Sequence, residues 1–139
     1  MVLTLILQII LPGGRLEYRT KNVNLVIEEF TKQYNQVKDV IAPEEKVLLE
    51  FPEAELYINE QRAIAYTVWS KDQQRFLTKI DWRALYILEP ETRVHIAIHE
   101  LCHLNHGKWL KRDKDLTPKE RIMLEMDAEK CVILYQATN

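Results

Sequence analysis

The chain is poor in residues that break, loosen or cross-link a polypeptide. Of its 139 residues, 3 are glycine and 5 are proline, too few for a collagen-like, linker-like or disordered chain. The 2 cysteines exclude a disulfide-rich secreted scaffold and a four-cysteine zinc ribbon. Neither charge sign dominates: 19 Lys and Arg stand against 21 Asp and Glu, a net charge of -2. Nucleic acid and anionic lipid are therefore not expected as electrostatic partners. The apolar stretch Val2 to Leu11, interrupted by Thr4 and Gln8, falls well short of the roughly 20 residues a bilayer-spanning helix needs. No basic segment precedes it and no small-residue cleavage pattern follows. It reads as a buried β-strand ended by Pro12-Gly13-Gly14. There is no internal repeat and no low-complexity tract. The expectation is one cytoplasmic domain over residues 1–139, with no membrane attachment.

What is present is an ordinary globular balance, 47% hydrophobic and 29% charged, with clear periodicities. Val26, Ile27, Phe30, Tyr34, Val37 and Ile41 recur at helical spacing, which predicts a helix from Asn24 to Ile41, stopped by Pro43. The middle reads as strands at Lys46–Phe51, Leu56–Ile58, Ala63–Trp69, Arg75–Ile80 and Ala84–Leu88, rich in β-branched and aromatic residues and separated by polar turns. Trp69 and Trp82 are expected to pack. A second helix should follow Glu89-Pro90-Glu91-Thr92, with Val94, Ala97, Ile98, Leu101 and Cys102 facing the core and Gly107 capping its end. The last helix opens on Thr117-Pro118-Lys119-Glu120, the pattern of a capping box with proline in the first turn. The fold class expected is α+β: a small, mostly antiparallel sheet packed on the second helix, with a helix at each end of the chain.

That second helix contains His99-Glu100-Leu101-Cys102-His103, an HExxH motif. Histidines four apart lie on one helix face about 6 Å apart along the axis. Their imidazoles can converge on one Zn²⁺. Glu100, about 100° round the helix from His99, points beside the ion, where it can take a proton from water that the metal activates. A zinc site also needs a third protein ligand. Glu125, on the last helix, is one candidate, and the small Ala128 one turn on would let the two helices approach. His106 is the other, and it can reach the ion only if the helix breaks near Asn105; otherwise it lines the cleft. Glu129, one turn beyond Glu125, suits an acceptor for a ligand histidine. His95 is expected at the cleft edge or surface, and Asp127 in solvent. Cys102 and Cys131 are read as buried apolar residues. A disulfide between them would need close helix register and an oxidising compartment, so none is expected.

His99 to His103 followed by Glu125-x-x-Ala128-Glu129 resembles the gluzincin zinc metallopeptidases, in particular the single-domain minimal gluzincins and the core of the ImmA/IrrE-type metallopeptidases. The resemblance covers roughly residues 84–137. It implies a minimal zincin-like fold, with Zn²⁺ held by His99, His103 and Glu125. It implies hydrolysis of a peptide or protein substrate by metal-activated water, with Glu100 as general base and then general acid. It also implies an edge strand that holds the substrate extended. Tyr86 or Tyr135 is a candidate for the oxyanion. A second resemblance is to SprT-type metallopeptidases, in which an HG histidine is the third ligand, here His106-Gly107 followed by Trp109. The gap of three between His103 and His106 is shorter than that pattern.

Two other functions compete. A metal-binding regulatory module would keep the site without proteolysis, with Lys108–Leu116 lying across the cleft. A nucleic-acid-associated protease would use Lys108, Lys111, Arg112, Lys114, Lys119 and Arg121, although Asp113, Asp115 and Glu120 interrupt that cluster.

Overall fold

A computed structural model describes residues 16–112 and 115–139, apart from the side chains of 16–21. The strand expected at Val2 to Leu11 and the Pro12-Gly13-Gly14 turn lie outside the described residues, as do Asp113 and Lys114. The architecture is α+β with a small mixed sheet.

Helix α1, Leu16–Ile41, begins a full two turns before the expected Asn24. The polar segment Glu17–Asn24 has no apolar periodicity to announce it, yet it contains no helix breaker. Phe30, Tyr34 and Val37 form the buried face of α1, and Pro43 follows its end. Strands β1 (Val47–Glu50), β2 (Leu56–Ile58), β3 (Gln61–Ala63), β4 (Ala65–Ser70) and β5 (Arg75–Ile80) come next. The β2–β3 hairpin turns through Asn59 and Glu60, both at positive φ (50° and 68°), the backbone form that a two-residue hairpin loop requires.

The main sheet has the order β1-β5-β4. β4 pairs antiparallel with β5 through the short Lys71–Gln74 turn, with Thr67 opposite Thr78. β1 pairs parallel with β5. The expected mostly antiparallel sheet is corrected to this mixed one. A tight turn forces an antiparallel neighbour, whereas the long excursion from β1 through the hairpin and β4 permits a parallel return.

Ala84–Leu88, expected as a strand, lies instead mainly in helix α2, Trp82–Ile87. Its continuous apolar run fits either state, and the deciding signal is Asp81, whose carboxylate caps the helix by accepting from the Arg83 N–H. Asp81 also pairs with Arg62 at 2.8 Å, with both side chains buried. That pair ties the β2–β3 hairpin to the end of β5.

Helix α3, Pro90–Cys102, starts on proline, three residues earlier than expected, and buries Ala97, Ile98, Leu101 and Cys102. It runs into a 3₁₀ turn, His103–His106, and then a short helix α4, Gly107–Leu110. Gly107 is therefore not a left-handed cap: its φ of -52° is helical. A Cβ there would meet the Phe76 ring at 3.4 Å, an ordinary van der Waals contact.

Helix α5, Pro118–Thr138, opens on the complete Thr117/Glu120 capping box. It packs on α3 through Leu124, Ala128 and Val132. Ala128 is fully buried at this crossing. Cys102 and Cys131 are joined in a disulfide, with a Cα–Cα distance of 6.0 Å, which overturns the expectation of two free thiols. The close crossing at Ala128 supplies the register that a bridge needs. Trp69 packs edge-on against Phe76 at 4.9 Å, and Arg83 stacks over Trp82. Among the described residues, no helix is long and apolar enough to cross a membrane.

Candidate metal centre

Three elements bring the chemistry-bearing residues together. Helix α3 presents His99 and Glu100, the 3₁₀ turn presents His103, and α5 presents Glu125 and Glu129. The His99 and His103 rings stand 4.8 Å apart, centroid to centroid, and nearly perpendicular. Their Nε2 atoms face the same carboxylate: His99 Nε2 is 2.8 Å from Glu125 Oε2, and His103 Nε2 is 3.1 Å from Glu125 Oε1. Two imidazoles and a carboxylate thus converge from three helical segments, a donor set that suits a borderline cation such as Zn²⁺. His99, Glu100 and His103 each also offer a ligand atom within 4.8 Å of the others.

His99 is held from both sides. Its Nδ1 lies 2.8 Å from Glu129 Oε2, and His95 Nε2 lies 3.0 Å from the same oxygen. An acceptor on the outer nitrogen fixes the ring's orientation and leaves the inner nitrogen for the shared site. Burial pulls the His99 imidazole toward neutrality, but the Glu125 and Glu129 carboxylates on its two nitrogens prevail and raise its pKa to about 9. Hydrogen bonds from His103 and His99 hold the Glu125 carboxyl well below the usual carboxylate range. Bonds to His99 and His95 also lower Glu129.

Glu100 is buried at 5% exposure. Burial raises its pKa, while the nearby His103, the Thr67 hydroxyl and His99 oppose that rise. A carboxylate desolvated beside a donor cluster is a strong proton acceptor. Its Oε1 accepts from Thr67 Oγ1 at 2.8 Å. Thr67 carries no signal in the sequence. No spacing links β4 to α3, and only the ladder register that sets Thr67 opposite Thr78 reveals it.

A cleft of about 930 Å³ opens at this site. Tyr66, Thr67 and Val68 of β4 line it together with His99, Glu100 and His103, and Ile122, Glu125 and Met126 of α5 complete the wall. Leu110 and Leu116, near the ends of the Lys108–Leu116 segment, also line it. Tyr86 and Tyr135 do not; the tyrosines in the cleft wall are Tyr57 and Tyr66. Although the helix changes to a 3₁₀ turn at His103, His106 does not join the donor set. Its Nε2 lies 3.5 Å from Asp127 Oδ2, and its buried Nδ1 has no partner among the described residues. Compared with protein-family models, with curated proteins and with solved structures, the chain matches none.

Proposed function

We propose that the chain is a zinc-dependent peptide hydrolase of minimal gluzincin type, with His99, His103 and Glu125 as metal ligands and Glu100 as general base and acid. One observation carries this reading: the two HExxH imidazoles meet on the Glu125 carboxylate directly beside the buried Glu100. A zinc ion held there supplies Lewis acidity at a peptide carbonyl and activates water for attack on it. Glu100 accepts the proton of the attacking water and passes it to the leaving amine. Glu129 accepts from His99 Nδ1 and keeps that ring aimed at the site. β4 is an outer strand of its sheet and borders the cleft, so an extended peptide can pair along it. Ile122 and Met126, both more than half exposed, offer apolar contact to the side chains of such a peptide.

The substrate in this reading is a peptide or protein. Neither nucleic acid nor membrane takes part. The cytoplasmic setting expected from the sequence stands against the Cys102–Cys131 bridge, which favours an oxidising compartment; in the cytoplasm the bridge would respond to the cell's redox state rather than act as a permanent staple.

The test is zinc content per purified chain, with Glu125→Ala and His106→Ala alongside the wild type, followed by peptide cleavage. One zinc per wild-type chain, lost in Glu125→Ala and retained in His106→Ala, is expected. Cleavage should vanish in Glu100→Gln while the zinc remains. Absence of zinc uptake by the wild type would overturn the reading, and loss of zinc in His106→Ala alone would favour the SprT-like ligand set.

A further inference from the structure

The carboxylate of Glu100 ends a short buried chain of three hydroxyls that runs through the core. Thr67 Oγ1 is 2.8 Å from Glu100 Oε1. Thr78 Oγ1 is 3.1 Å from Thr67 Oγ1, and Tyr34 OH is 2.7 Å from Thr78 Oγ1. The three hydroxyl residues are 7%, 0% and 1% exposed, and they come from β4, β5 and α1.

With Glu100 ionised, as a general base must be, proton counting fixes the direction of this chain. Each hydroxyl carries a single proton, and an ionised carboxylate can only accept. Thr67 therefore donates to Glu100 and must accept from Thr78. Thr78, having given its proton to Thr67, must accept from Tyr34. Burial keeps the Tyr34 phenol protonated by raising its pKa, so the chain begins on a group that remains a donor. Glu100 Oε2 has no hydrogen-bond partner among the described residues. The two oxygens of one carboxylate are thus unequal: one is held by the protein and the other is free.

We propose that Thr67 is a positioning residue for Glu100, holding Oε1 so that Oε2 alone takes the proton of the attacking water, and that Thr78 and Tyr34 fix the direction of that hold. This rests on the reading of Glu100 as the proton acceptor. Removing the Thr67 hydroxyl leaves the carboxylate free to swing away from the orientation that aims an oxygen at the attacking water, so fewer enzyme molecules are poised for the proton transfer. In the strand-pairing reading the substrate contacts along β4 are backbone contacts, which the change leaves in place. The loss therefore belongs in kcat and not in KM.

The experiment uses the zinc-loaded full chain and one cleavable peptide. Thr67→Val should lower kcat about 10- to 100-fold, the scale of one hydrogen bond to a charged group, with KM within about twofold and zinc content unchanged. Thr67→Ser, which keeps the hydroxyl, should recover most of kcat. Tyr34→Phe should lower kcat by less and in the same sense, and it serves if Thr67→Val fails to fold. Wild-type kcat in Thr67→Val, or no recovery in Thr67→Ser, overturns the proposal.

A second measurement is independent of hydrolysis. In threonine-labelled protein, the Thr67 and Thr78 hydroxyl protons should exchange slowly enough with water to be seen by NMR. Both should shift in Tyr34→Phe, and the Thr67 proton should shift in Glu100→Gln. Rapid exchange, or no shift in either variant, overturns the proposal even if the chain cleaves no peptide.

Discussion

Cys102, which lies between the two histidines of HExxH, is covalently bonded to Cys131, two residues beyond Glu129. The bond ties the helix carrying His99 to the helix carrying Glu125 and Glu129, across the same interface that brings those side chains together. Apart from it, α5 is held to the core by few fully buried residues, among them Leu124, Ala128 and Val132. The bridge spans a sequence separation of 29, for which loop entropy gives about 3–4 kcal/mol of stabilisation. Cys131→Ser, or a dithiol reductant on the wild type, should therefore lower the denaturant midpoint and weaken zinc retention together. Unfolding curves with and without reductant, run beside a chelator competition, check both; an unchanged midpoint would remove the bridge from the account of stability.

Proton linkage at His99 gives a second expectation. In the metal-free protein its pKa is raised to about 9, above the ordinary value of about 6.5. The folded state therefore holds this proton more tightly than the unfolded chain does. The stability it contributes is fully present below about pH 6.5 and is lost as pH rises through about 9. A metal at Nε2 must displace that proton, so apparent zinc affinity should climb with pH until about 9 and then level off. Calorimetric titrations in buffers of different ionisation enthalpy would measure the proton released, and zero protons released at pH 7 would contradict the geometry.

Glu129 and His95 act on His99 from the side away from Glu125. Glu129→Gln is expected to weaken zinc binding about 10- to 100-fold, the usual cost of removing an acceptor behind a ligand histidine. His95→Ala should cost less, because it bonds Glu129 rather than His99. Zinc affinities of the two variants, ranked against Glu125→Ala, check this order.

The Arg62–Asp81 pair is a liability if either half is removed. Both side chains are almost wholly buried, and Asp81 also caps α2. Arg62→Ala leaves a buried carboxylate without its principal counter-charge and should cost about 3–5 kcal/mol. Urea unfolding of that variant is the check, and a loss below about 1 kcal/mol would mean that water reaches Asp81.

Much of this arrangement was legible in the sequence because it is local. The HExxH spacing, the Thr117/Glu120 box and the small Ala128 opposite α3 each carry their own signal within a few residues. Glu125 could be singled out over other acids only through its place in Glu125-x-x-Ala128-Glu129. What stayed hidden depends on distant partners. Ala84–Leu88 has an apolar run compatible with strand or helix, and its cap Asp81 looked like a turn residue. The parallel pairing of β1 with β5 leaves no local trace. Thr67 is one threonine in a strand until β5 sets Thr78 beside it. Cys102 and Cys131 pair because α3 and α5 cross at Ala128, a distance no spacing encodes.

The hydroxyl chain also bears on the order in which the molecule is assembled. His99 and His103 are one helical turn apart, so their alignment needs little more than α3 and the 3₁₀ turn that continues it. The bond from Thr67 to Glu100 joins residues 33 apart, and that from Tyr34 to Thr78 joins residues 44 apart. Contacts of that span form late, after loop closure has been achieved. A partly folded chain would thus already carry its imidazole pair while Glu100 still lacked its anchor. Under the proposed hydrolase reading, such an intermediate would be inert toward its own unfolded neighbours, and hydrolytic competence would arrive only with the native state.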